Sequence, residues 1–157
     1  MKKIIQSLLA GIALLAICFG SSSFTVTKGG EGFQIYLNNK LLVQRFGNEI
    51  NNPIKIELDQ RFASEQLSVK YFHCGRLGSD RDITIRDKQN RILKEWHFGD
   101  GSATAAMMNC PVKDIIEVQH ETTGLMNLFY KSNELPNGRV LTSIVVTNNA
   151  KQGVTIP

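Results

Sequence analysis

Pro53-Ile54-Lys55-Ile56-Glu57-Leu58-Asp59 alternates apolar and charged side chains without a break. A strand turns successive side chains to opposite faces, so Ile54, Ile56 and Leu58 line one face while Lys55, Glu57 and Asp59 line the other. That is the pattern of a half-buried antiparallel strand with one face on a core and one in water. Pro53 starts it, where a missing amide donor costs least.

The same reading extends in both directions. Residues 33–46 form a hairpin turning at Asn38 and Asn39, since Asn tolerates the left-handed backbone of tight turns. A two-residue loop pairs Leu37 with Lys40. A three-residue loop pairs Leu37 with Leu41 and Ile35 with Val43, and it is favoured because it collects the apolar side chains on one face. A second hairpin, residues 82–98, turns around Asp87, Lys88, Gln89 and Asn90, with Ile83 and Ile85 on one arm and Ile92, Trp96 and Phe98 on the other. Lys94 interrupts the inward set, which predicts a bulge or an edge strand. Further strands are expected at 24–27, 66–74, 115–120, 125–131 and 139–147. No twelve-residue window beyond the leader shows a 3.6-residue apolar period. Residues 24–147 are therefore expected to form an all-β domain, a single antiparallel β-sandwich of about eight to ten short strands. The long link at 99–113 could hold a helical turn at 103–108, and 148–157 reads as a tail or final edge strand.

Residues 1–23 have the order of a secretory signal peptide: Lys2 and Lys3, an apolar run to Phe19, then Gly20, Ser21, Ser22 and Ser23. The run is short for a membrane span, so no span is expected after cleavage. Leu15-Ala16-Ile17-Cys18 approximates a bacterial lipobox, an alternative that would anchor the protein at Cys18. Ile17 is bulky for that peptidase subsite. Of 18 basic residues two lie in the leader, leaving 16 against 14 acidic ones. That near-neutral balance removes the main support for a nucleic-acid partner. The expected location is periplasmic or extracellular.

Cleavage after Cys18 leaves Cys74 and Cys110, and an even pair in an exported chain is most simply a disulfide. A metal site recruiting His73 and His97 beside those sulfurs lacks any local ligand pairing. No Gly-x-Ser-x-Gly elbow occurs. Asp80, Asp82, Asp100, Glu117 and Glu121 offer carboxylates for a glycosidase pair, but nothing singles out two of them. Gly78-Ser79-Asp80-Arg81-Asp82 reads as a solvated turn rather than a calcium loop, since Arg81 stands where an oxygen ligand belongs. No catalytic residue and no cofactor is indicated. The set with most binding character is Tyr71, His73, Arg76, Trp96 and His97, aromatic and basic residues near strand ends. Within it, Tyr71 and Trp96 fall on inward parity and read as core residues.

Gly30-Glu31-Gly32-Phe33, Tyr36-Leu37-Asn38-Asn39-Lys40, Val69-Lys70-Tyr71-Phe72-His73-Cys74-Gly75, Leu93-Lys94-Glu95-Trp96, Val112-Lys113-Asp114-Ile115 and Ser132-Asn133-Glu134-Leu135-Pro136 together resemble a family of small secreted, functionally uncharacterised proteins of the Bacteroidota. The resemblance implies export, paired cysteines and a β-rich fold, and it transfers no catalytic residue. The expected function is a non-enzymatic binding or interaction module of the periplasm or cell surface, with an envelope or extracellular ligand or protein as partner. The alternatives are a small hydrolase of envelope or extracellular glycans and a structural envelope component that pairs through an edge strand.

Overall fold

The computed structural model describes residues 30–52, 54–103, 106–119 and 124–147; the leader, the strand expected at 24–27, Pro53, His120 and the tail at 148–157 lie outside the described residues. Asn38 and Asn39 both occupy the left-handed region, at φ 46° and 66°. Two successive positive φ values make the primed turn whose twist suits antiparallel strands. It joins β1 (Gly32–Leu37) to β2 (Lys40–Phe46). Leu37 pairs with Lys40, which corrects the three-residue register, yet Ile35 still pairs with Val43. A bulge reconciles the two. The register shifts between Ile35 and Tyr36, so Leu42 and Val43 are both buried while Leu41 stays 45% exposed.

β3 (Lys55–Asp59) keeps the alternation of its sequence, with Ile56 and Leu58 fully buried and Lys55 exposed. Its pairing differs from expectation: β3 runs parallel to β9 (Leu135–Thr147), Lys55 opposite Ser143 and Asp59 opposite Thr147. The cause is where the chain crosses between sheets. β2 ends beside Glu31, whose carbonyl accepts from Gly47 N and whose carboxylate meets Arg139 near the start of β9. The chain thus crosses at the end of the molecule where β9 sets out, and β3 runs in the direction of β9. Asp59 is buried rather than solvated, because its carboxylate accepts from Arg61 N, Nε and Nη2 at 2.9, 3.0 and 3.1 Å.

The remaining elements are β4 (Gln66–Phe72), β5 (Arg81–Arg86), β6 (Ile92–Phe98), β7 (Met108–Pro111), α1 (Val112–Gln119) and β8 (Met126–Ser132). They complete a four-stranded sheet, β2-β1-β4-β7, and a five-stranded sheet, β3-β9-β8-β5-β6. One apolar cluster takes side chains from both sheets, and Tyr71 of β4 stacks on Tyr130 of β8 at 4.2 Å and 14°. Among the described residues the fold is all-β apart from one α-helix and two short 3-10 turns, an architecture compatible with a sandwich.

Both expectations for Lys94 are met. β6 is an edge strand, and its register shifts where Ile85 faces Lys94 and Arg86 faces Ile92. The Lys94 ammonium reaches Asp114 of α1 at 3.0 Å, and Trp96 Nε1 donates to the same carboxylate at 3.3 Å. The strand expected at 115–120 is this helix, which buries Val112, Ile115 and Val118 at three-residue intervals. Met108 begins β7, so the helical turn expected at 103–108 is not formed over its described residues. Among the described residues no helix is long and apolar enough to cross a membrane.

The expected disulfide is also corrected: Cys74 and Cys110 are free thiols. Cys110 faces Leu67 across the β4–β7 pair and is fully buried in the core. Cys74 lies seven residues farther along, past the end of β4, in a turn at φ 51°. At about 3.3 Å per residue that separates them by roughly 20 Å, whereas a disulfide needs α-carbons within about 7 Å.

Candidate functional site

The five side chains with most binding character do not share one surface. Tyr71 is 1% exposed and His73 is buried at the end of the core. Arg76 is exposed in the tight turn that bridges back to His73. Trp96 is half-buried beneath α1, and His97 points outward from the other face of β6.

Tyr71 and His73 belong to a polar cluster that bolts the two sheets together. Tyr71 OH donates to Glu31 Oε1 at 2.6 Å, and Arg139 Nη2 donates to Glu31 Oε2 at 3.3 Å. His73 Nε2 lies 2.9 Å from Tyr130 OH and 3.2 Å from Ser132 Oγ. Burial lowers the His73 pKa, keeping the ring neutral, and pushes the Tyr130 phenol up to about 12. With the Tyr130 hydroxyl donating to Nε2, the ring proton is assigned to Nδ1. A serine beside a histidine can be a nucleophile with its base, but Ser132 is 2% exposed and the tyrosine holds the histidine lone pair at the shorter distance. Gly78 presses on this cluster so closely that a Cβ there would lie 2.9 Å from His73 Nε2. The cluster is an inter-sheet fastening.

The loops above it are tied in the same way. Glu134 accepts from Ser79 N and Ser79 Oγ at 2.9 Å each. Burial raises the Glu134 pKa, but these bonds, with those from its own backbone amide and from the Ser132 hydroxyl, outweigh it and hold the carboxyl at about 2. Arg81 Nε donates to Gly99 O at 2.8 Å. Three of the acids considered for catalysis meet near the exposed His97: its Nδ1 is 2.7 Å from Asp82 Oδ1, its Nε2 is 3.4 Å from Asp80 Oδ1, and Asp80 N donates to Asp100. The hydrogen bond with Asp82 raises the His97 pKa. Glu117 is elsewhere, on α1 near Lys113, and Glu121 lies outside the described residues.

The outer face of the four-stranded sheet is arranged differently. Inward Phe33, Ile35 and Leu37 of β1 and Leu67, Val69 and Tyr71 of β4 leave their neighbours outward, and the register sets these in three rows. At one end Phe46 and Phe72 flank Gly32, their rings 5.7 Å apart. A Cβ on Gly32 would collide with the Phe46 ring, so only glycine lets the ring lie across the strand. The middle row is Gln44, Gln34 and Lys70: Gln34 Nε2 donates to Gln44 Oε1 at 2.7 Å, and Lys70 Nζ sits 5.0 Å from the Phe72 ring centre. The third row is Leu41, Tyr36, Ser68 and Asn109, in which Tyr36 OH donates to Gln34 Oε1 at 2.9 Å and Ser68 Oγ donates to Asn109 Oδ1 at 2.7 Å.

No protein-family model matches the chain, and no curated protein matches it.

Among the described strand residues of this face, Lys70 is the one charged side chain. The opposite outer face, on the five-stranded sheet, carries more charge, and several of its charged side chains are engaged. Arg86 lies 3.6 Å over the Phe129 ring and bonds Thr84, Lys55 meets Glu57 at 2.6 Å, and His97 meets Asp82. The four-stranded face instead presents partly exposed rings beside amides that fix one another's orientation. Such a surface can stack on apolar faces and hydrogen-bond to uncharged polar groups. Sequence reasoning selected His73, Tyr71 and Trp96 by residue type. Parity was the available signal, since once Tyr71 is inward its neighbours Lys70 and Phe72 must face out.

Proposed function

We propose that the protein is an exported, non-enzymatic binding module that engages its ligand with the outer face of the four-stranded sheet. The observation that carries this reading is the mutually hydrogen-bonded Tyr36-Gln34-Gln44 array flanked by the partly exposed Phe46 and Phe72. Side chains held by one another lose little freedom on binding, which favours affinity without rearrangement. Export is supported by the leader-like residues 1–23. Amide exchange of the purified protein, with and without the envelope fraction of its own cells, tests the reading. Protection is expected across β1, β2 and the end of β4, and it should vanish in Gln34→Ala and Phe72→Ala. Protection confined to residues 73–80 and 99–103 would move the site to the loop end and end this reading.

The gathering of Asp80, Asp82 and Asp100 near His97 supports a second reading, a small hydrolase of envelope or extracellular glycans. Release of new reducing ends that is lost in Asp82→Asn and kept in Phe72→Ala would establish it. Absence of release by the wild-type protein would remove it.

A further inference from the structure

We infer that the ligand of the four-stranded face is an uncharged polysaccharide, an inference that rests on the preceding reading of that face. Charge excludes the main polymeric alternatives. A polyphosphate backbone or an anionic bilayer calls for several cations, and this face offers one, already placed over Phe72. The order of the rows then argues against a protein. A protein interface centres on an apolar core and keeps its polar groups at the rim. Here the amides of Gln34 and Gln44 run through the middle, with Phe46 and Phe72 on one side and Tyr36 and Leu41 on the other.

That inverted order suits a chain of sugar rings. A pyranose has apolar C–H faces, which an aromatic face attracts through its negative quadrupole, and a rim of hydroxyls that both donate and accept. Carboxamides match that rim because each offers both functions without a net charge. Gln34 and Gln44 spend one donor and one acceptor on each other, which sets their planes and leaves the remaining N–H groups directed. From the Gly32 row to the Tyr36 row the face spans roughly 13 Å at 3.3 Å per residue, the reach of a short oligosaccharide rather than of one sugar. Affinity should therefore rise with chain length, and binding should be nearly indifferent to salt.

The test is electrophoresis of the native protein through gels containing a soluble β-glucan, a mannan, a starch or, as the acidic comparison, polygalacturonate. At least one neutral polymer should retard the protein. Phe72→Ala and the exposed Gln44→Ala should each weaken that retardation on the order of tenfold, a loss of about 1.4 kcal/mol, while Lys88→Ala, in the exposed β5–β6 turn, leaves it unchanged. Retardation by no neutral polymer, with envelope-induced protection still mapping to this face, overturns the polysaccharide and leaves the binding face standing. Retardation that Phe72→Ala and Gln44→Ala both leave intact overturns the face as well. Salt-sensitive retardation by polygalacturonate alone, or a self-association abolished by Phe72→Ala, overturns the uncharged glycan in favour of an acidic polymer or a second copy of the chain.

Discussion

Removing the two hydroxyls that converge on His73 should cost more together than the sum of the separate losses. One imidazole lone pair takes one strong hydrogen bond, and Tyr130 OH holds it at 2.9 Å with Ser132 Oγ in reserve at 3.2 Å. Tyr130→Phe keeps the ring stacked on Tyr71 and deletes only the hydroxyl, so it should cost about 0.5–1.5 kcal/mol, the net worth of one hydrogen bond. Ser132, whose hydroxyl also reaches the Glu134 carboxylate, can then turn to the vacated lone pair. Ser132→Ala alone should cost no more. In the double variant Nε2 is a buried acceptor with no donor, which adds the desolvation penalty of about 1–3 kcal/mol. The double should thus exceed the sum of the singles by about 1 kcal/mol or more. Urea unfolding of the four proteins measures this, provided the slope of the transition does not change. The same cycle on a His73→Phe background should show no coupling, because the shared acceptor is gone. Additivity within about 0.3 kcal/mol on the native background would refute the shared-acceptor geometry.

Alkylation without reductant should label Cys74 in the native protein and Cys110 only in denaturant, since burial raises the Cys110 pKa and closes access; two thiols that resist labelling in denaturant would restore the disulfide. Gly32→Ala should destabilise by about 1–3 kcal/mol as the Phe46 ring is displaced, read as a fall in the urea midpoint; an unchanged midpoint would contradict the packing of Phe46 over Gly32. The two histidines should act oppositely with pH. The folded His73 pKa lies below the ordinary 6.5, so its contribution is complete above pH 6.5 and is lost as pH falls toward the folded value, by up to about 1.4 kcal/mol per pH unit. The folded His97 pKa lies above 6.5, so its contribution is complete below pH 6.5 and fades as pH rises through the folded value. His97→Ala should therefore flatten the loss of stability as pH rises above 6.5 and leave the acid-side slope as it is, and an unchanged slope of the urea midpoints above pH 6.5 would count against the Asp82 contact.

The β class was legible because alternation is a local property. Ile54, Ile56 and Leu58 announce a strand wherever its partner lies, and the Asn38-Asn39 turn carries its conformation in its residue types. Direction and register are not local. Nothing in residues 53–59 says that β3 will lie parallel to β9, and the Leu42 bulge reverses parity after one residue, so it hides within an apolar run. The helix at Val112–Gln119 was obscured by its β-branched content, Val112, Ile115, Ile116 and Val118, which reads as strand until the three-residue spacing of the buried positions is known. The cysteines illustrate the same limit. Compartment and count favoured a bond, and the β4–β7 register, which is non-local, keeps the two sulfurs apart. At the proposed binding face, the relevant residues are ordinary glutamines and phenylalanines whose significance lies in sharing rows across three strands. A residue-type search gravitates instead to His73 and Trp96, which the fold uses for fastening.

The side-chain amide resonances of Gln34, Gln44 and Asn109 test the central claim most directly, because these groups stand on the face itself. Titrating the labelled protein with an oligosaccharide of the neutral polymer that retards it should shift those three amides and the backbone signals of Lys70 and Phe72, leaving Gln89 and Asn133 in place. Shifts gathered instead at Asn133 and residues 73–80, with the Gln34 and Gln44 amides unmoved, would contradict it.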